Sequence, residues 1–204
     1  MAEKSFTPAE ASAIVKLPLK AVHKIIEGRI IRPRRSRHGN QVQRLLSPEQ
    51  LVYLRLEAEG LRLLPMASRR EVARAVESSP QADIVAVSGG SALIVQVKAA
   101  RKEVERELKR LEKAENMALS DPEIMNGTPV YHGTRIPVEL VAEMLSQGAT
   151  VEEILSGYPA LNREQVELAN LYVAAFPRRG RPVRRPWADQ KPIRVTRSPR
   201  VANA

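Results

Sequence analysis

Five chain-breaking residues in eighteen positions decide how residues 121–138 can fold: the stretch reads D-P-E-I-M-N-G-T-P-V-Y-H-G-T-R-I-P-V, divided by Pro122, Gly127, Pro129, Gly133 and Pro137. Proline holds φ and removes a donor, and glycine opens positive φ, so no continuous helix can run through this stretch. Between the breakers, residues 128–132 and 134–136 favour extended structure. Pro137 suits the first turn of a helix. Val138, Val141, Met144 and Leu145 then repeat at helical spacing until Gly148. Thr150 with Glu153 forms a capping box for a short second helix ending near residues 157–159. Asn162 caps a third, which Pro177 terminates. An extended arm followed by three helices has the rhythm of a helix-turn-helix unit.

The pattern D-P-E-I-x-x-G-x-P-x-x-x-G-T-R-I-P-V, followed by G-A-T-V-E-E-I-L-x-x-Y-P-x-L, resembles the small helical module catalogued as domain of unknown function 433. The resemblance covers residue 121 to about residue 176. That module is typical of VapB-like antitoxins of bacterial toxin–antitoxin pairs, which is what the resemblance implies here. The residues alone also allow a three-helix bundle with no particular partner.

The N-terminal region carries its own signals. Thr7-Pro8-Ala9-Glu10 is a complete helix start, with Ala11, Ile14 and Val15 as the apolar face. After Leu17-Pro18 a second helix over 18–27 turns Val22, Ile25 and Ile26 inward and leaves Lys20, His23 and Lys24 elsewhere, and Gly28 ends it. Ile30-Ile31 and residues 42–46 read as two short strands joined by an arginine-rich loop, a wing. Ser47-Pro48-Glu49 opens a further helix to about residue 61, and 68–77 is another. This order resembles the winged-helix module of MerR-like regulators, through F-T-P-A-E-A-S at 6–12, G-R-I-I-R-P-R-R at 28–35 and L-L-S-P-E-Q-L at 45–51. No effector region of the cysteine or drug-binding kind follows.

A short helix behind a tight turn fits the major groove of DNA, and a wing reaches flanking phosphates. Lys20, His23 and Lys24 are therefore expected near base edges or backbone, and Arg34, Arg35, Arg37 and Arg44 on phosphates. The bland alternative is a solvated arginine loop, with His23 an ordinary helix-surface residue.

Charge distribution supports two separate anionic contacts. The net charge is +10, yet residues 29–46 hold six arginines and no acid, and residues 178–204 hold eight arginines and one lysine against Asp189. That last segment has too few apolar anchors to bury a core and is expected to be disordered or extended when free. The family resemblance implies a partner for it, a PIN-like (VapC-like) ribonuclease toxin. Arg178, Arg179, Arg181, Arg184, Arg185 and Arg194, with Trp187 as anchor, would bind that toxin. An arginine placed among metal-binding carboxylates would compete with Mg²⁺ through bidentate ion pairs. A nonspecific nucleic-acid tail and an inert end are the rival readings.

Between these regions, residues 83–97 form two nearly all-apolar strands around S-G-G-S, a hairpin that needs covering on both faces by a dimer partner or by its own chain. Residues 98–117 are a long helix with a narrow apolar stripe at Val104, Leu108 and Leu111, which suits a spacer.

The expected architecture is mainly α. It comprises an N-terminal winged helix-turn-helix (1–80), a β-hairpin plus long helix (81–119), a C-terminal three-helix helix-turn-helix-like module (120–176) and a disordered basic tail (177–204). With 43% hydrophobic residues the chain can build packed cores, and with no cysteine it can form no disulfide. No apolar run is long enough for a membrane span and the first residues lack a signal-peptide core, so cytoplasmic residence is expected. His23, His38 and His132 stand far apart, and no phosphate loop or nucleophile motif is present, so neither metal, cofactor nor catalysis is expected. These readings converge on a homodimeric antitoxin that binds operator DNA and represses its own transcription. The alternative is a stand-alone MerR-like regulator.

Overall fold

Side chains set where the helices begin in the computed structural model, which describes residues 4–38, 41–89 and 91–177. Four helices open on a reciprocal capping box: Thr7 with Glu10, Ser47 with Gln50, Thr150 with Glu153, and Asn162 with Gln165. Each box satisfies two backbone N–H groups that the first helical turn leaves without partners.

The order is α1 (Pro8–Val15), α2 (Leu19–Glu27), β1 (Arg34–His38), β2 (Gln41–Leu45), α3 (Pro48–Glu59), α4 (Met66–Ser78), β3 (Ile84–Gly89), β4 (Ser91–Gln96), α5 (Lys98–Asn116), β5 (Ala118–Leu119), β6 (Val130–Tyr131), α6 (Val138–Ser146), α7 (Val151–Gly157) and α8 (Arg163–Ala175). The described chain is thus mainly α, and its strands form three separate antiparallel pairs, β1–β2, β3–β4 and β5–β6. None of its helices is long and apolar enough to cross a membrane.

Two hydrophobic cores share walls. The first takes residues from α1 to α4, Val85 and Val87 of β3, and Ala100, Val104 and Leu111 of α5. The second gathers Ala114, Met117, Tyr131, and the inner faces of α6, α7 and α8. Helix α5, read from sequence as a spacer, therefore lines one core and then the other. Helix α8 does the same in reverse, with Val166, Leu168 and Ala169 in the second core and Ala175 in the first. It packs against α1, α5 and α6.

Burial along α5 includes a charge. Glu107 is 1% exposed and sits 3.5 Å from Lys16 Nζ and 3.0 Å from Arg110 Nη1. Burial alone would raise its pKa; Arg110 and then Lys16 outweigh that and hold the carboxyl below the usual range. Lys16 reaches it because it ends α1 in the left-handed conformation, at φ 56°. A second buried acid, Glu57, accepts from the Tyr53 hydroxyl and from Arg69 Nε, tying α3 to α4. Burial raises the Tyr53 pKa, and the Glu57 carboxylate adds to the shift.

One sequence expectation is corrected. Ile30 and Ile31 are not a strand: both are buried in the first core, and the first wing strand is Arg34–His38, inside the run expected to be a loop. The core requires both isoleucines, which a solvated ribbon could not bury on one side. Within this one chain the β3–β4 hairpin is covered on one face and open on the other. Val85 and Val87 are buried, whereas Ile84 and Ile94 are 55% and 68% exposed.

In the breaker-rich arm, β6 pairs with β5 rather than forming an independent ribbon. Gly127 and Gly133 hold φ of 74° and 72°, which explains their place in the pattern. Asp121 Oδ1 accepts from the Glu123 amide at 2.9 Å, so this acid caps a turn. The residues around the arm favoured helix boundaries correctly: Pro137 precedes α6 and Asn162 caps α8.

Candidate nucleic-acid interface

Helices α1 and α2 meet at a tight turn. The Ser12 hydroxyl donates to the Leu17 carbonyl at 2.7 Å and so fastens it. Val22, Ile25 and Ile26 anchor α2 in the core. Helical spacing then leaves Lys20 and Lys24 exposed, with His23 half-buried beside them.

The wing is a regular ribbon, and its register assigns each arginine to a face. Arg35 lies directly opposite Arg44, Arg37 opposite Val42, and Arg34 opposite Leu45. Opposed residues share a face and alternate residues change face. Arg35, Arg37 and Arg44 therefore stand on one side, and Arg34 stands on the other. The expected set of four phosphate-binding arginines is split three to one.

Between α2 and the three-arginine face runs an open groove of about 530 Å³, lined by Ile26, Glu27, Arg29, Ile31, Arg32, Pro33, Arg35 and Arg44. Glu27 lies one helical turn beyond His23 and Lys24, so the groove continues the exposed face of α2. Two contacts from behind brace it. Arg70 Nη2 donates to the Gly28 carbonyl at 2.9 Å, and Gln50 Nε2 donates to the Arg32 carbonyl at 3.1 Å. Phe6 and Leu46 exchange backbone hydrogen bonds at 2.9 and 2.7 Å, which fixes the base of the wing to the start of the chain.

Among the described residues, none of Lys20, Lys24, Arg29, Arg32, Arg34, Arg35, Arg37 and Arg44 takes part in an ion pair. Some cations elsewhere are paired, as in Arg55–Glu59, Arg69–Glu57, Arg110–Glu107, Lys113–Glu164 and Arg163–Glu152, whereas others, such as Arg62, Arg74, Lys102 and Lys109, are in no ion pair either. What sets the α2–wing surface apart is density: six arginines and no acid fall in residues 29–46, beside Lys20 and Lys24, an arrangement that attracts a polyanion.

Sequence reasoning missed Arg29 and Arg32 as individual site residues. Both belong to the acid-free run of 29–46, but only the fold shows that they face the same groove as Arg35 and Arg44. The tail residues Arg178, Arg179, Arg181, Arg184, Arg185, Trp187 and Arg194 lie outside the described residues. Among the described residues, no group of three His, Asp or Glu is placed to hold a metal ion.

Comparisons with known proteins add the following. An uncharacterized protein, y4eO, of Sinorhizobium fredii is 43% identical over 76 residues, which is 37% of this chain. The chain spans only 34% of that protein's length. The X-ray crystal structure of Rv2018 from Mycobacterium tuberculosis aligns with 81% of this chain and 96% of that one, at 16% identity and a TM-score of 0.29, a likeness too slight to bear on the fold. Residues 120–173, which hold β6, α6, α7 and most of α8, match the family described as Protein of unknown function (DUF433).

Proposed function

We propose that this chain is a DNA-binding antitoxin: it grips operator DNA through α2 and the wing, represses its own transcription, and neutralises a PIN-like ribonuclease toxin. The observation that carries the DNA part is the α2–wing surface, where eight cations stand without ionic partners among the described residues. Duplex DNA presents a dense row of phosphates, and association gains from the counterions that Lys and Arg displace. Lys20 and Lys24, exposed on α2, would approach the major groove, while Arg35, Arg37 and Arg44, on one face of the wing, would address the flanking backbone.

The antitoxin part is supported by the resemblance of residues 121–176 to a module typical of VapB-like antitoxins, and by the basic composition of 178–204. Inhibition needs no chemistry from this chain, because an arginine inserted among the toxin's carboxylates displaces its metal. A homodimer suits a palindromic operator, and the open apolar face of β3–β4 at Ile84 and Ile94 supplies a surface on which two copies could meet.

Co-expression with the product of the adjacent gene tests the whole reading. The expected result is a stable complex in which a ribonuclease is silent, and which shifts a duplex from the upstream region. Deleting residues 178–204 should release the nuclease and largely spare DNA binding. A neighbour that is no nuclease, combined with intact DNA binding, would favour the stand-alone MerR-like regulator instead.

A further inference from the structure

The groove between α2 and the wing holds two arginines, Arg29 and Arg32, which the proposed function counts among the surface cations but gives no individual contact. We infer that this groove is a seat for successive phosphodiester groups of a nucleic-acid backbone, held by Arg29 and Arg32 together with Arg35 and Arg44, with Glu27 limiting how tightly they are held. The inference rests on the DNA-binding reading and adds to it a defined phosphate track.

Four observations carry it. First, Arg35 and Arg44 are direct cross-strand partners, and like charges so placed repel. An anion lying between them removes that repulsion, so the free ribbon is poised to bind one. Second, Arg29 adopts φ 53°, a left-handed conformation that costs a non-glycine residue free energy. Glycine would occupy this position with less strain; the arginine contributes a guanidinium to the groove. Third, two carbonyls of the segment that builds the groove are already occupied. The C-terminal end of a helix is its negative end, and Arg70 binds the Gly28 carbonyl there, while Gln50 binds that of Arg32. Those two carbonyls are therefore not free to oppose an anion, and the guanidinium forks of the lining arginines can hold it. Fourth, the groove is open, with Glu27 the one acid in its lining. An open track suits a polymer that passes through it, and Glu27 opposes the phosphates and keeps the complex reversible.

The test uses the full chain and a fluorescently labelled duplex from its own upstream region, with affinity measured by anisotropy from about 50 to 200 mM salt. R29Q/R32Q should bind at least roughly tenfold more weakly at the higher salt, and the slope of log K against log salt should fall by about two, one for each lost phosphate contact. E27Q should bind several-fold more tightly, a gain that misfolding cannot produce. Inorganic pyrophosphate should compete only weakly. If R29Q/R32Q and E27Q leave affinity and slope unchanged while K20Q/K24Q weakens binding, the DNA-binding reading stands and the phosphate track is refuted. If wild type binds no duplex, both fall. If wild type binds pyrophosphate tightly, R29Q/R32Q abolishes this, and duplex does not compete, the groove serves a small free phosphate compound and the backbone assignment is overturned.

Discussion

Two regions of this chain have the same helical rhythm and opposite charge. Residues 4–80 contain fifteen Lys and Arg against seven Asp and Glu, whereas residues 120–177 contain two Arg against eight Asp and Glu. In the first, α2 shows Lys20 and Lys24 to solvent. In the second, α8 shows Glu164 and Glu167, and two of the acids are paired, Glu164 with Lys113 of α5 and Glu152 with Arg163. Backbone resemblance to a helix-turn-helix is therefore not enough to assign DNA binding. The sign of the exposed face bears on which unit a phosphate backbone can approach, and here the N-terminal unit is the cationic one.

The largest test of this contrast is salt dependence. If six cations of the α2–wing surface each neutralise a phosphate, affinity for duplex should fall about a thousandfold between roughly 50 and 200 mM salt. A flat response would break the contrast at once.

The next test concerns stability. K16A/R106A/R110A removes all three cations within 3.5 Å of the buried Glu107 carboxylate, and should lower unfolding free energy by about 2–3 kcal/mol, less than for a wholly buried pair because the cations are largely exposed. E107Q should cost about 1 kcal/mol, since a neutral amide needs no counter-charge. The pH dependence has a definite sign. A carboxyl held below its ordinary pKa stabilises the fold fully above the ordinary carboxylate range, and that contribution is lost as pH falls through the lowered value. Urea midpoints of wild type and E107Q should therefore converge toward low pH; parallel curves would contradict the assignment.

Capping sharpens the comparison further. T150A and Q50A should each cost about 1 kcal/mol by breaking a capping box. Only Q50A should also weaken DNA binding, because Gln50 braces the Arg32 segment. Equal DNA affinity in the two variants would show that this brace is irrelevant to binding. The smallest effect is expected from E164Q/E167Q. Removing these acids should leave the salt slope unchanged, because the proposed DNA contact is on α2 and the wing and does not include α8.

Much of the helical framework was legible in advance. The capping residues Thr7, Ser47, Thr150 and Asn162 start helices as expected because a cap is a local contact over three residues. The wing was only partly legible. Ile30-Ile31 has strand-like composition, but demand from the core outweighed it, and pairing shifted into the arginine run. The groove was not legible at all, since it depends on Arg29, Arg32, Arg35 and Arg44 meeting across a turn and a ribbon.

The shared-wall roles of α5 and α8 lay equally beyond sequence. A narrow stripe such as Val104, Leu108 and Leu111 states that one side of a helix is buried, but not against what. Composition and spacing by themselves determined a mainly helical chain, the positions of its caps and breakers, and a cationic run at 29–46. Only tertiary packing decided that three wing arginines share a face, that Glu107 is enclosed, and that two cores are joined by common helices. The reason is one of range: caps, breakers and periodicity act within a few residues, whereas a shared face, a buried charge and a groove come from segments that only folding brings together.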